Sequence, residues 1–326
     1  MPDQPVEENL VSVGNLSVSY GQARMSLGAR QRFVAVDNVN FSVKKGSIVG
    51  LVGETGCGKS SIGRAILGLI PFSGKVSVAG KRIDAMSSEE LKRHRLHMQM
   101  IFQDPLSSLN RRKSIKSLMR QSLQLQRIGS RKEQNDRISA LIKEVGFDDS
   151  ILTRYPHQFS GGQRQRISIA RALTLHPSFI VCDEAVSALD VSVQAAIINL
   201  LLDLRKKHDL TYLFISHDLS VIELISDYIV VLYLGRIVEQ GSKKAIMARQ
   251  MHPYTQILFS TSPEPTTAQR TKKFQKIVSD IPQRNTVGEG CFFASRCPFV
   301  MDKCRKTYPK TFETADNQKV ACWLYE

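Results

Sequence analysis

The sequence contains no long apolar run. Its longest, "YIVVLYLG" at residues 228–235, has the length of a strand and falls well short of the roughly 20 apolar residues of a spanning helix. The opening "MPDQPVEENL" carries neither the basic start nor the apolar stretch of a secretory signal, so the chain is expected on the cytosolic side, where thiols stay reduced. Tight cysteine pairs are missing too: no two of the six cysteines stand two to four residues apart, which removes the usual spacing of structural zinc. Acidic residues are the minority charge, 30 against 45 Lys and Arg, leaving a formal charge of +15. Such an excess suits nucleic acid or an anionic membrane surface. Part of it is concentrated between Arg111 and Arg137, where nine basic residues face only Glu133 and Asp136; the helical spacing there equally describes a solvated helix face.

What is present is enough for a sizeable core. The hydrophobic fraction is 42% of 326 residues, a length that suggests one core domain and an extension. "LVSVGNLSVSY" and "FVAVDNVNFSVKKGSIVGLVG" alternate in the manner of strands, with the polar "GQARMSLGARQR" as a loop between them. From Lys59 the spacing turns helical, and "KVSVAG" then gives a short strand. Residues from about 105 to 160 show helical patterns without a strand. A helix then opens near Gly162, followed by the strand "FIVCD", the helix "VSVQAAIINLLLDLRKK", the strand "TYLFISH", a short helix and "YIVVLYLG". Strands alternating with helices predict parallel crossover units in an α/β fold, interrupted by a helical insertion. Beyond about Ser262 the pattern dissolves into Pro, Thr, Gln and Lys, which sets the expected boundary between a domain at 1–262 and an extension at 263–326.

Between a strand and a helix stands "GETGCGKSS", comprising Gly53, Glu54, Thr55, Gly56, Cys57, Gly58, Lys59, Ser60 and Ser61. This is the P-loop pattern, whose glycines let successive backbone N–H groups surround phosphates at a helix N-terminus. Lys59 is expected to reach the β- and γ-phosphates and Ser60 to ligate Mg²⁺. Cys57, close to that N-terminus, is expected to have a lowered pKa and to be open to alkylation. The strand "FIVCDE" ends in Asp183, placed to bind Mg²⁺ through water, and Glu184, a candidate general base; Cys182 reads as core. A second anion-suited helix start lies in "FSGGQ", with Ser160, Gly161, Gly162 and Gln163. One triphosphate needs only one cradle, so two cradles suggest a nucleotide shared by two subunits.

Cys291, Cys297, Cys304 and Cys322 follow the spacing C-x5-C-x6-C-x17-C in the loop-rich tail. Disulfides are disfavoured in a reducing compartment and zinc lacks its close pair; four thiolates suit an iron–sulfur cluster, although the run matches no standard ferredoxin.

In order and spacing these motifs resemble the ATPase subunit of an ABC transporter over roughly residues 8–262. Tyr20 stands at the adenine-stacking position, where a packed strand-end tyrosine is the plainer alternative. "GETGCGKSS" matches Walker A, Gln103 in "IFQDP" the Q-loop, "FSGGQ" the signature and "FIVCDE" Walker B. Asp190 in "SALD" matches the D-loop, and His217 in "ISHDL" the switch histidine. The segments "MQMIFQDPLSSLN", "RYPHQFSGGQRQRI", "VSALDVSVQA", "HPYTQ" and "CFFASRCP" are similar to the oligopeptide and dipeptide importer branch, specifically its F-type ATPase. The resemblance implies a RecA-like core with an antiparallel β subdomain, an inserted helical subdomain and a small cysteine-rich C-terminal domain. It implies ATP gripped between Walker A of one subunit and the signature of a second, homologous ATPase. Gln103, with Ser60 and Asp183, would serve the Mg²⁺, Glu184 would act as base, and Lys59 and His217 would contact phosphate. Two transmembrane permeases and an extracytoplasmic peptide-binding protein would complete the system at the inner face of the cell membrane. The tail cysteines would carry a 4Fe–4S cluster, with zinc or free thiols as alternatives. Two positions depart from the general pattern: Phe159 replaces Leu in the signature, as is common in this branch, and Ala185 replaces the usual Pro after Glu184.

Two rival functions remain at the level of sequence. A nucleic-acid ATPase of the same superfamily would use the positive charge and the cysteines, but this chain has neither a second ATPase core nor zinc-type cysteine pairs. A catalytically dead regulatory subunit is disfavoured because every chemical group is retained.

Overall fold

The computed structural model describes residues 9–21, 33–105, 109–260 and 288–326. The predicted loop after Tyr20 and the predicted boundary near Ser262 lie outside the described residues. In chain order the described elements begin with β1 (Asn9–Tyr20), β2 (Phe33–Lys44), β3 (Ile48–Val52), α1 (Lys59–Ile66), β4 (Ser73–Val78) and β5 (Lys81–Arg82). Then come α2 (Ser88–His94), β6 (Met98–Ile101), α3 (Ile115–Leu125), α4 (Arg131–Glu144), α5 (Gly161–Leu173), β7 (Phe179–Asp183), α6 (Val191–His208) and β8 (Thr211–Ile215). The chain closes with α7 (Leu219–Ile225), β9 (Tyr228–Tyr233), β10 (Arg236–Ser242), α8 (Lys243–Ala248), α9 (Pro253–Ser260), α10 (Asp302–Lys306), β11 (Phe312–Glu313) and β12 (Lys319–Val320).

These elements form two compact units. One consists mainly of residues 86–215. In it β6, β7 and β8 run parallel, with Met100 opposite Val181 and Val181 opposite Leu213. Every residue of β7 and β8 is buried, the pattern of parallel strands covered on both faces. The described residues between β6 and β7 form α3, α4, α5 and two short 3₁₀ turns, with no strand among them. Three of the longer helices start on side-chain caps: Ser114 for α3, Asp190 for α6, and Ser130 for α4, where Glu133 completes the reciprocal box.

The other unit contains residues 11–43, 48–85 and 216–326. One of its sheets has the order β2–β1–β4–β5. Along β1 the buried set changes phase from Val11 and Val13 to Leu16 and Val18, because the register with β4 shifts between Gly14 and Ser17 and Asn15 takes a positive φ of 51°. Elsewhere in the unit β3 runs parallel to β9, and β9 turns into antiparallel β10. The tail returns to this edge: β12 pairs antiparallel with β10, and β11 with β12. A buried carboxylate explains the attachment. Glu239 on β10 is fully buried and accepts the N–H groups of Met251 (2.8 Å) and His252 (2.9 Å). Its Oε1 also accepts from Gln318 Nε2 at 2.6 Å, and Gln318 donates to the Arg249 carbonyl as well. Burial pushes the Glu239 carboxyl up, and these donors oppose the shift. Met251, Val320 and Cys322 pack beside it with Phe312 and Tyr325.

Candidate nucleotide site and cysteine pocket

In the second unit the P-loop joins β3 to α1, and glycine is a steric requirement at two of its positions. A Cβ on Gly53 (φ +151°) would sit 2.2 Å from the Leu232 carbonyl oxygen, and one on Gly58 (φ +104°) 2.4 Å from that of Ala35. Gly56, also at positive φ, faces open space. Gly58 precedes α1 in a left-handed conformation, and that helix start has neither a capping side chain nor an acid in its first turn, leaving its positive end suited to an anion. Lys59 is buried, and its ammonium donates to the carbonyls of Gly53 (2.7 Å) and Glu54 (3.0 Å). Thr55 lies exposed in the loop, Ser60 follows Lys59 in the first turn, and the Ser61 hydroxyl is 3.0 Å from that of Tyr20. Tyr20 is 40% exposed at the end of β1.

Cys57 corrects one expectation. It is 3% exposed, and burial raises its thiol pKa against the lowering effect of Lys59. Desolvation outweighs the helix terminus, and an inert core thiol results. Cys182 is fully buried in β7 as expected, its thiol also raised by burial. His217 is exposed in the turn before α7, whose N-terminus Asp218 caps by accepting from Ser220 N at 3.0 Å.

The other unit gathers a second group of predicted residues. Asp183 is buried at the end of β7, and Glu184 follows it with φ +49°, a backbone region uncommon for residues other than glycine, held by its N–H to the Ile215 carbonyl at 3.0 Å. Gln103 Nε2 donates to Glu184 Oε2 at 2.7 Å, bringing the Q-loop glutamine and the candidate base together. Ala185, the next residue, is buried. At the start of α5, Ser160 and Gln163 form a reciprocal cap. Phe159 is buried against Phe147, so Phe in place of Leu serves local packing. A Cβ on Gly162 would come within 2.4 Å of Val193 Cγ1, while Gly161 is exposed. Asp190 accepts from Ser192 Oγ (2.7 Å) and Val193 N (3.0 Å), bonds that hold its carboxyl below the usual range.

The four tail cysteines line one narrow, mostly apolar pocket with Phe293, Met301 and Trp323. Cys291 and Cys304 are tied by a backbone hydrogen bond of 2.7 Å, and a Cβ on Gly290 would strike the Cys304 carbonyl oxygen at 2.4 Å. Burial, reinforced by the neighbouring cysteines, pushes the Cys291 thiol up to about 12 and the Cys297 thiol up to about 11. Among the described residues no three His, Cys, Asp or Glu side chains are disposed to hold a single metal ion.

A contact that sequence reasoning missed lies between these two features. Arg296, next to Cys297, grips Glu54 of the P-loop through two hydrogen bonds of 3.0 Å. Its sequence signal was only its place inside "CFFASRCP"; nothing in the spacing names Glu54 as its partner.

Comparison with known proteins agrees with this architecture. The family model for ABC transporters matches residues 36–187, and that for the oligopeptide/dipeptide transporter C-terminal region matches residues 238–304. The putative peptide import ATP-binding protein BOV_A0347 of Brucella ovis is 45% identical, covering 97% of this chain and 98% of that protein. The oligopeptide transport ATP-binding protein AppF of Bacillus subtilis is 45% identical over 89% of each chain. The dimeric bacterial ABC transporter cassette MJ0796 superposes with a TM-score of 0.62 at 25% identity, covering 72% of this chain and 98% of the cassette. The chain belongs to the ABC transporter ATP-binding family, with the C-terminal region of the oligopeptide/dipeptide transporters. No helix among the described residues is long and apolar enough to cross a membrane.

Proposed function

We propose that this chain is the F-type ATP-binding and hydrolysing subunit of a peptide importer. The carrying observation is the 2.7 Å bond from Gln103 to Glu184 in a chain that also carries a glycine-enforced P-loop. The relatives named for peptide import and oligopeptide transport supply the cargo class. Residues 1–262 form the nucleotide-binding domain, with the helical subdomain near 105–160, and 263–326 form a small cysteine-rich extension.

In this reading the P-loop N–H groups and Lys59 bind the β- and γ-phosphates, and Tyr20 offers its ring to adenine. The resemblance gives Mg²⁺ the oxygen donors Ser60, Asp183 and Gln103, and the ion would neutralise phosphate charge. Glu184 accepts a proton from the attacking water; Gln103 holds its carboxylate in place, and the left-handed backbone at residue 184 sets its direction. His217 contacts the γ-phosphate. The signature residues Ser160, Gly161, Gly162 and Gln163 serve the nucleotide bound by a homologous ATPase subunit, and Asp190 lies in the contact between the two. Closure of that pair works two membrane permeases fed by a peptide-binding protein, with this chain at the inner face of the membrane.

The cysteine pocket takes a 4Fe–4S cluster. Zinc needs four sulfurs at about 2.3 Å from one point. Four thiols lining one pocket would be the ligands of such a cluster, which would supply a cross-link to a segment with little core of its own. Iron and acid-labile sulfide on anaerobically purified protein are the expected result, and one zinc per chain without sulfide overturns it.

The ATPase reading is tested with Glu184→Gln in the assembled transporter. Hydrolysis should fall by roughly 10²- to 10⁴-fold while MgATP binding persists. Near-normal turnover removes Glu184 from the role.

A further inference from the structure

Arg296 does more than a surface arginine would. Its side chain is only 7% exposed, and both terminal nitrogens are committed to Glu54, Nη1 to Oε2 and Nη2 to Oε1, the planar fork that arginine makes with carboxylates. Nη1 also donates to the Tyr233 hydroxyl at 3.3 Å. The guanidinium lies 5.8 Å from the ring centres of Tyr233 and Phe293, between them the walls of its slot. Its Nε is buried without a hydrogen-bond partner among the described residues, so the side chain is aimed at Glu54 at the expense of its own third donor. Glu54 is fixed on every side: its N–H donates to the Tyr254 hydroxyl at 2.9 Å, and its carbonyl accepts from Lys59 Nζ at 3.0 Å and Cys57 N at 3.3 Å.

This arrangement answers an electrostatic problem. Glu54 is the second residue of a loop built to receive a triphosphate, and its carboxylate has the charge of the ligand. We propose that Arg296 is a positioning residue of the nucleotide site. It neutralises Glu54 and locks the P-loop in its phosphate-receiving shape, so that a residue of the C-terminal segment sets the affinity for MgATP. The proposal rests on the ATPase reading above. Its effect lies in binding: with Arg296 gone, the Glu54 carboxylate repels the incoming phosphates and the loop loses its clamp, whereas Glu184 and Gln103 keep their own contact.

The test uses the full-length chain, measuring Kd for a fluorescent ATP analogue with Mg²⁺, and the transporter complex, measuring KM and kcat. Arg296→Gln should raise Kd and KM by roughly tenfold, the order expected of one like charge near the phosphates, with kcat at saturating ATP changed less than about threefold. Adding Glu54→Gln to that variant should bring Kd back to within about threefold of wild type by removing the charge Arg296 was there to neutralise. Arg296→Lys, which keeps charge but loses the fork, should fall between the two. Unchanged Kd in Arg296→Gln overturns the proposal. So does a fall in kcat and thermal stability that Glu54→Gln fails to rescue, since that is the mark of a purely structural residue. A wild-type chain that shows no saturable MgATP binding defeats the ATPase reading itself, and is thereby told apart from failure of the Arg296 clamp.

Discussion

The P-loop and the cysteine pocket stand in one compact unit and are built on opposite principles. The P-loop works with its backbone: its glycines are there because two of them have no space for a Cβ and three have positive φ. The cysteine pocket works with side chains, four thiols on a segment whose described secondary structure is a five-residue helix, two-residue strands and a short 3₁₀ turn. A backbone site is intolerant of added atoms, and a side-chain site of lost ones. The first is therefore broken by alanine at glycine, the second by serine at cysteine.

The sharpest break is Gly58→Ala. The left-handed backbone alone costs about 1–3 kcal/mol for a residue with a Cβ, and the 2.4 Å approach to the Ala35 carbonyl adds a clash with main chain. Nucleotide binding should disappear and the melting temperature fall. Gly56→Ala, strained in φ but open in space, should do much less in the same binding and melting assays. Next in size is Cys304→Ser. Its sulfur lines the pocket proposed to hold the cluster, so on that proposal the variant should lose iron and sulfide together and melt about 4–8 °C lower, as a loss near 2 kcal/mol implies. MgATP affinity should change less than in Gly58→Ala. If Cys304→Ser keeps its iron, the side-chain half of the contrast fails.

The smallest effect lies in the other unit. Glu144 sits between His208 (2.7 Å) and Lys207 (3.0 Å). Burial alone would raise its carboxyl, but the bonds from His208 and Lys207 outweigh burial and hold it below its ordinary value of 4.5. A carboxylate depressed in the folded state contributes stability that is present above that unfolded value and lost as pH falls through the lower folded one. Glu144→Gln should cost about 1 kcal/mol or less at neutral pH and remove that part of the acid sensitivity, read from urea melts at a series of pH values.

The same contrast explains what could be read from sequence. Elements with strong periodicity were legible: β7 ends at Asp183 and α6 fills "VSVQAAIINLLLDLRKK". Strand β10 was not, for two physical reasons. The turn before it has Leu234 at φ 44° and Gly235 at φ 83°, and leucine is not the residue by which such hairpin turns are recognised. The strand itself buries Glu239, which breaks any apolar alternation. Strands β11 and β12 are two residues each, too short for a pattern. The glycine loop was legible because the residues that shape it are adjacent in sequence. The clamp on Glu54 was not, because Arg296 stands 242 residues away and reaches it only through the fold. Cys57 was misread for a related reason: its neighbours in sequence promise a helix terminus, and only the packing shows how little water reaches the thiol.

Binding linkage gives the clamp a second meaning. Whatever free energy an ordered tail contributes to holding ATP, bound ATP must return in equal measure to the order of the tail. A chain shortened before residue 288 would thus be an enzyme with an unneutralised acid in its phosphate loop rather than a minimal ATPase. On that proposal, occupancy of the nucleotide site and order of the cysteine segment would be coupled by one and the same free energy.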